Sequence, residues 1–295
     1  MDSNVVSSLK KKKGSPASLF NIIMTGVAGA CMTITIIPLF AVLSYVIFRG
    51  LGRLSPDLFT KLPPPPGLSG GGLANALIGT IIVVALATLI AVPIGVLAAV
   101  YLSEFSNNNQ TAQWIRFATN VLSGVPSIIA GIFAYGLLVA PLIGKSGIFG
   151  FSAVAGSLAL SVLMLPTIIR TTDEALKIVP QEIRWAALGI GAYNYQTVLK
   201  IVLPAALPAI LTGVTLAVAR AAGETAPLIF TALFSNFWPR GIFEPIATIS
   251  VLIYNYATVP FVPQQELAWA GALIIVVLVL MTSIAARLAT RRKVY

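Results

Sequence analysis

Stretches of twenty or more mostly apolar residues return six times along this 295-residue chain, at roughly 20–48, 74–102, 116–142, 151–170, 206–233 and 267–289. Crossing about 30 Å of hydrocarbon takes about 20 such residues in a helix. A lipid-exposed backbone must also satisfy its own polar groups, as a helix does. The reading is therefore an all-α polytopic membrane protein with about six transmembrane helices. Composition agrees, because 57% of residues are hydrophobic and 9% charged and the mean hydropathy is +0.93. That is more apolar surface than one water-soluble core can hide. A cytoplasmic basic N-terminal tail, 1–19, is expected before a transmembrane domain over 20–295, with no soluble domain appended.

A formal charge of +10 invites a nucleic-acid reading, but the charges are distributed otherwise. Lys10, Lys11, Lys12 and Lys13 precede the first run, and Arg287, Arg291, Arg292 and Lys293 follow the last. Basic residues flanking spans mark the cytoplasmic side. Six spans put both termini on that side, together with Arg116, Arg170, Lys177, Arg184 and Lys200, and leave only Arg49, Arg53, Lys61, Lys145 and Arg240 outside. Membrane lipid is the expected surroundings, with no nucleic acid. The basic start followed by an apolar run imitates a signal peptide, yet Leu19 to Phe48 far exceeds an apolar region of about 7–15 residues, so a retained span is expected.

Histidine is absent and Cys31 is the single cysteine, which leaves no disulfide framework and no Cys/His metal site. Cys31 reads as a small packing residue in the first span. Gly144-Lys145-Ser146 resembles the end of a phosphate-binding loop, but Val139 occupies the position where that loop needs glycine. No ATP site is encoded, and neither a metal nor another cofactor is expected. Without histidine and with few acids inside the bilayer, no catalytic residue is assigned.

Proline punctuates several runs. Pro93, Pro126 and Pro166 each remove a backbone donor and favour a kink or a break. Pro63 to Pro66 followed by Gly70-Gly71-Gly72 predicts a stiff extended link ending in a flexible joint. The outer stretch 234–266, with Trp238, Tyr254, Tyr256 and Phe261 among prolines, suits the membrane interface.

Between the fourth and fifth runs lies Thr171 to Lys200, too polar to cross yet helical in period. Pro180 followed by Gln181 and Glu182 predicts a helix start, and a short helix over 181–189 turning at Gly189 or Gly191. The following residues run into Ile201-Val202-Leu203-Pro204. Here the chain resembles the binding-protein-dependent ABC importer permeases. Their shared loop reads Glu-Ala-Ala, three residues, Gly, nine residues, then Ile-x-Leu-Pro, and Ala186, Ala187, Gly191, Ile201, Leu203 and Pro204 occupy those places. Trp185 stands where the family has Glu. The resemblance implies a type I ABC importer permease fold, with a coupling loop at about 171–205. Trp185, Ala186, Ala187 and Gly191 would form a cytoplasmic coupling helix seated on a separate ATPase. An apolar anchor at Trp185 would replace the family's charged contact.

The stretches GTIIVVALATLIAVPIGVLAAVYLSEF, LSGVPSIIAGIFAYG, LMLPTIIRTTDEALKIVP and ARAAGETAPLIFTAL resemble the phosphate-importing branch of that family. The branch implies a second permease subunit, two copies of an ATPase subunit that binds the ATP, and an external phosphate-binding protein. Arg220 and Glu224 fall at i, i+4 within the fifth run, where charges are costly and face a cavity or one another. A guanidinium engages phosphate oxygens in pairs. Glu224 would accept a hydrogen bond from a protonated phosphate, a bond that sulfate does not offer, and Thr225 adds a hydroxyl. Mutual neutralisation of Arg220 and Glu224 is the alternative. Arg170 and Asp173, at i, i+3, either guide the anion's exit or stabilise the end of the fourth span. Other readings are the partner permease of the same complex, a sulfate or molybdate permease, and a self-sufficient channel or ion-coupled carrier.

Overall fold

A computed structural model of the chain describes residues 16–106, 109–142 and 150–291, and every regular element among them is helical. Lys10 to Lys13, the Gly144-Lys145-Ser146 tripeptide, Arg292 and Lys293 lie outside the described residues. Among these residues five helical stretches have the length and composition of membrane spans, and a bent pair raises the number to six.

The chain divides into two compact units at Arg49 and Gly50. The first is built on α1 (Pro16–Leu51), whose 36 residues extend about 54 Å at 1.5 Å each. Inside this apolar helix the hydroxyls of Thr25, Thr33 and Thr35 donate to the carbonyls four residues back, so none is left bare in lipid.

The second unit holds the rest. A link leads from Gly50 to α2 (Ala74–Val100), which runs on as a π-helical turn over Tyr101–Phe105. The glycines of that link are not a flexible joint. Gly71 takes φ +64°, the Gly72 amide donates to the Leu62 carbonyl at 2.9 Å, and the Leu73 amide donates to that of Leu58 at 2.9 Å. The chain folds back on itself so tightly that only glycine fits.

The third apolar run is broken. α3 (Gln110–Gly124) and α4 (Ser127–Ala134) meet at 108°. Pro126 drives its predecessor Val125 into an extended conformation, ψ 127°, and cannot donate to the helix behind it. Pro93 and Pro166, by contrast, sit inside the unbroken α2 and α5 (Ala153–Lys177). α5 also runs seven residues past the expected 170, taking Thr171 to Lys177 out of the polar loop.

α2 and α5 lie side by side and parallel. Val83, Ala87, Ala91, Gly95 and Ala99 recur every fourth residue of α2 and are all buried. Such a stripe of small residues lets two helix backbones approach, which matters in lipid because apolar burial alone drives no association there. Ser157 of α5 donates to the Val83 carbonyl at 3.0 Å, and a Cβ at Gly95 would stand 2.7 Å from Ile168.

After α5 comes α6 (Gln181–Gly189), then a short turn and a π-helical stretch, Val198–Val202, leading into α7 (Leu203–Gly223). The run expected to span 206–233 stops at Gly223. Pro227 could not continue α7, since it lacks the donor for the Gly223 carbonyl and its ring would strike it. Instead it opens α8 (Ala226–Thr231), where a proline in the first turn is favourable. α4 packs on α8 through Gly131, where a Cβ would lie 2.6 Å from the Pro227 Cα. The core between these helices is Leu160, Met164 and Ile168 of α5 with Ala217 and Ala221 of α7 and Leu228 of α8.

The stretch 234–266 contains a partly buried helix, α9 (Ile249–Ala257), and the start of α10 (Val262–Arg291). Burial pushes the Tyr256 phenol above its usual pKa, so it remains a donor, to Asn236 Oδ1 at 3.1 Å.

Candidate functional site

Arg220 and Glu224 do meet. The Arg220 Nε donates to Glu224 Oε1 at 3.3 Å, with side-chain exposures of 64% and 17%. Glu224 is not within a continuous helix as expected. It caps the C-terminus of α7 in an extended conformation, φ −70° and ψ 129°, and its carbonyl accepts a bond from the Ser250 hydroxyl of α9 at 2.9 Å. Thr225 follows as the residue that starts α8. Only the Nε of Arg220 is engaged, so among the described residues its two terminal nitrogens have no hydrogen-bond partner. The result is a guanidinium tethered by one nitrogen with its outer fork exposed, beside a shallow recess lined by Met164 and Thr167 of α5 and Ala217 and Ala221 of α7.

Arg170 and Asp173 are not paired with one another. The Arg170 guanidinium donates to Asn120 Oδ1 of α3 at 2.7 Å. Asp173 is buried and takes Arg116 of α3 at 3.3 Å and Lys177 at 2.7 Å. Arg116 and Asn120 of α3 and Arg170 and Asp173 of α5 border one small cavity of about 120 Å³. Two guanidinium groups thus lie near one end of the helix bundle, the end that also carries α6. Arg116, counted in the sequence only as a cytoplasmic charge, and Asn120, which the sequence did not single out, belong to this group; a partner 50 or more residues away leaves no local pattern.

α6 forms where expected. Pro180 precedes it with φ −58° and ψ 142°, and Glu182 sits in its first turn. Its C-terminus closes in a paired arrangement: the Gly191 amide donates to the Leu188 carbonyl at 3.0 Å and the Ala192 amide to that of Ala187 at 3.1 Å. That closure needs a left-handed residue, and Gly191 supplies it at φ +90°. Trp185 and Ala186 are exposed, Ala187 is buried, and Ile190 is 87% exposed. With Tyr193 and Tyr195, stacked at 5.9 Å between ring centroids, Trp185 and Ile190 give this end an exposed apolar and aromatic surface. Ala187 therefore faces the bundle, while Trp185, Ala186 and Gly191 face away from it.

The side chain that ties α6 to the bundle is one the sequence reading counted only as a topogenic charge. Arg184 reaches Glu104, in the π-helical turn ending α2, with its Nη2 at 2.8 Å and its Nε at 3.2 Å. It also donates to the carbonyls of Leu176, at 2.9 Å, and Val179 at the end of α5. No group of three or more potential metal-ligating His, Cys, Asp or Glu side chains occurs among the described residues.

Residues 91–295 match the family described as binding-protein-dependent transport system inner membrane component. The chain is 44% identical over 273 residues to a phosphate transport system permease protein PstA of Haemophilus influenzae, covering 92% of this chain and 94% of that one. It is 42% identical over 242 residues to the protein of the same name from Xylella fastidiosa, with 82% of each covered. In fold it is similar to a chain of a bacterial alginate ABC transporter crystallised with its alginate-bound periplasmic protein. The TM-score is 0.67 at 16% identity, over 92% of this chain and 96% of that one.

Proposed function

Because this chain belongs to the inner membrane components of binding-protein-dependent transport systems, we propose that it is the phosphate-translocating permease subunit of an ATP-driven ABC importer. Its relatives carry the name of phosphate permease PstA, and its helices have the type I importer permease arrangement. It sits in a bacterial inner membrane with both termini and α6 in the cytoplasm. A second, PstC-like permease completes the path, two copies of a PstB-like ATPase bind the ATP, and a PstS-like external protein delivers the anion. The chain itself holds no cofactor and catalyses no hydrolysis.

One observation supports the anion's place: among the described residues Arg220 is anchored to Glu224 by Nε alone, with no partner for its terminal nitrogens. Those nitrogens suit two oxygens of one phosphate. Glu224 beside them is placed to accept a proton-bearing oxygen, which favours hydrogen phosphate over sulfate. Thr225 stands next in the chain. At the cytoplasmic end Arg170 and Arg116 offer the departing anion a second positive region, with Asp173 holding Arg116 in place. Trp185, Ala186 and Gly191 present the surface on which the ATPase sits, and closure of the ATPase pair moves that surface to open the path alternately to each side.

The experiment is uptake of labelled phosphate by the reconstituted complex, with excess sulfate as competitor. Phosphate uptake that sulfate does not reduce supports the reading; equal competition, or uptake without the ATPase, refutes it.

A further inference from the structure

α6 has little to hold it. Of its nine residues only Ala187 is buried, and a single methyl gives weak apolar attachment. Trp185, Ile190 and Tyr193 all project away from the bundle. Its two flanking turns connect it covalently to α5 and α7, but neither leads to α2. Arg184 makes that third connection. Among the described residues it is the one side chain of α6 with a hydrogen bond to another helix of the bundle.

The connection is closed on all sides. Arg184 and Glu104 keep side-chain exposures of only 12% and 8%. The guanidinium meets both carboxylate oxygens in the two-pronged geometry that only arginine provides. Its remaining donors take the Leu176 carbonyl in the last turn of α5 and the Val179 carbonyl just beyond it. Glu104 stands in the π-helical turn Tyr101–Phe105, whose wider winding turns its side chain off the path a regular α2 would give. A second π-helical stretch, Val198–Val202, buries Val198 and Val202 against Val100, Leu176 and Val179 on the same side. Two irregular turns and a buried ion pair thus converge under α6.

We propose that Arg184 and Glu104 form the joint through which displacement of α6 is passed to α2 and α5, making both of them positioning residues for coupling that touch neither anion nor nucleotide. The proposal rests on α6 being the ATPase-docking element. A push on α6 meets two short covalent turns and one methyl, which would let the helix swivel in place. The pair converts that swivel into motion of α2, which packs along α5 for most of its length and carries the small-residue stripe. Glu104→Gln keeps the shape and loses the charge; Arg184→Lys keeps the charge and loses the fork.

The test uses the complete permease and ATPase complex with its binding protein in proteoliposomes. Each variant is measured for ATPase affinity, ATP turnover and labelled phosphate imported per ATP. Glu104→Gln and Arg184→Lys should bind the ATPase as the parent does and hydrolyse ATP, but import at least tenfold less phosphate per ATP. Parental import per ATP in both overturns the joint. Failure of Glu104→Gln, Glu104→Asp and Arg184→Lys alike to assemble assigns the pair to folding alone and also overturns it. Trp185→Ala separates the underlying reading: unchanged ATPase affinity there says that α6 is not the dock, whatever the joint variants do.

Discussion

Replacing Arg220 with glutamine removes a cation while keeping a polar side chain, and two costs can be estimated from its surroundings. The first is the lost contact between the free guanidinium fork and phosphate. A hydrogen bond to a charged group contributes about 1.5–3 kcal/mol, which is roughly 10- to 150-fold in rate at 1.36 kcal/mol per decade. The second arises at Glu224. Its carboxylate, 17% exposed and paired among the described residues with Arg220 alone, becomes an uncompensated negative charge beside the proposed anion path. Two like charges about 4 Å apart repel by about 1 kcal/mol in water and about 4 kcal/mol at an effective permittivity of about 20. Together the losses come to about 2.5–7 kcal/mol, or two to five decades of uptake at low phosphate. Arg220→Gln should therefore import essentially nothing. Arg220→Gln with Glu224→Gln removes the repulsion, about 1 kcal/mol or more, so it should recover at least about fivefold over the single variant yet stay at least about 10-fold below the parent. The assay is labelled phosphate uptake into proteoliposomes, normalised to assembled complex. If the two charges serve only to neutralise one another, the double variant will match the parent. That result would refute the contact.

Trp185 makes no packing contact that the fold needs, being 63% exposed, so Trp185→Ala should leave thermal stability unchanged. Truncating a buried anchor of a complex costs about 2 kcal/mol or more, so its affinity for the ATPase, measured by titration in nanodiscs, should fall about 30-fold. Ala187 points the other way and is 3% exposed. Ala187→Leu should cost about 1–3 kcal/mol of overpacking and lift α6 from its seat, seen as ATP hydrolysis that persists while phosphate imported per ATP drops.

The parts of this fold that were legible in the sequence are those set by local pattern. α6 was readable because a proline, an acid and a glycine at the right distances define a short helix without help from elsewhere, and Gly191 at φ +90° sits where the turn requires it. The apolar runs located the spans but not their breaks. Pro93, Pro126 and Pro166 look alike in sequence, yet only Pro126 breaks its span, with α8 stacked on the α4 that follows. A run from 206 to 233 gives no hint that it stops at Glu224, since hydropathy is blind to backbone direction. Arg220 and Glu224 were found because charge inside an apolar run is conspicuous. Arg184 and Glu104 were missed because each sits in polar sequence, where a charge is ordinary. Only a fold that brings residues 80 positions apart into one buried spot makes them unusual.

The two ends of the proposed mechanism must also be joined, and α5 and α7 supply the connection. From Val202 beneath α6 to Arg220 the chain climbs about 27 Å at 1.5 Å per residue, and over that distance α7 lies against α5. Gly213 marks the closest approach: a Cβ there would overlap the Thr171 side chain. Thr171 has little freedom to yield, because its hydroxyl is bonded to the Thr167 carbonyl at 2.8 Å. In the proposed mechanism this contact is the route by which a shift received at the α6 end would reach Arg220. Gly213→Ala should then force α5 and α7 apart at a cost of about 1–3 kcal/mol, lowering both the melting temperature and the phosphate imported per ATP. Adding Thr171→Ala removes the obstructing atoms and should restore at least half of each loss. A Gly213→Ala protein with parental stability and parental import would show that the two helices already slide past one another, and that transmission does not depend on their contact.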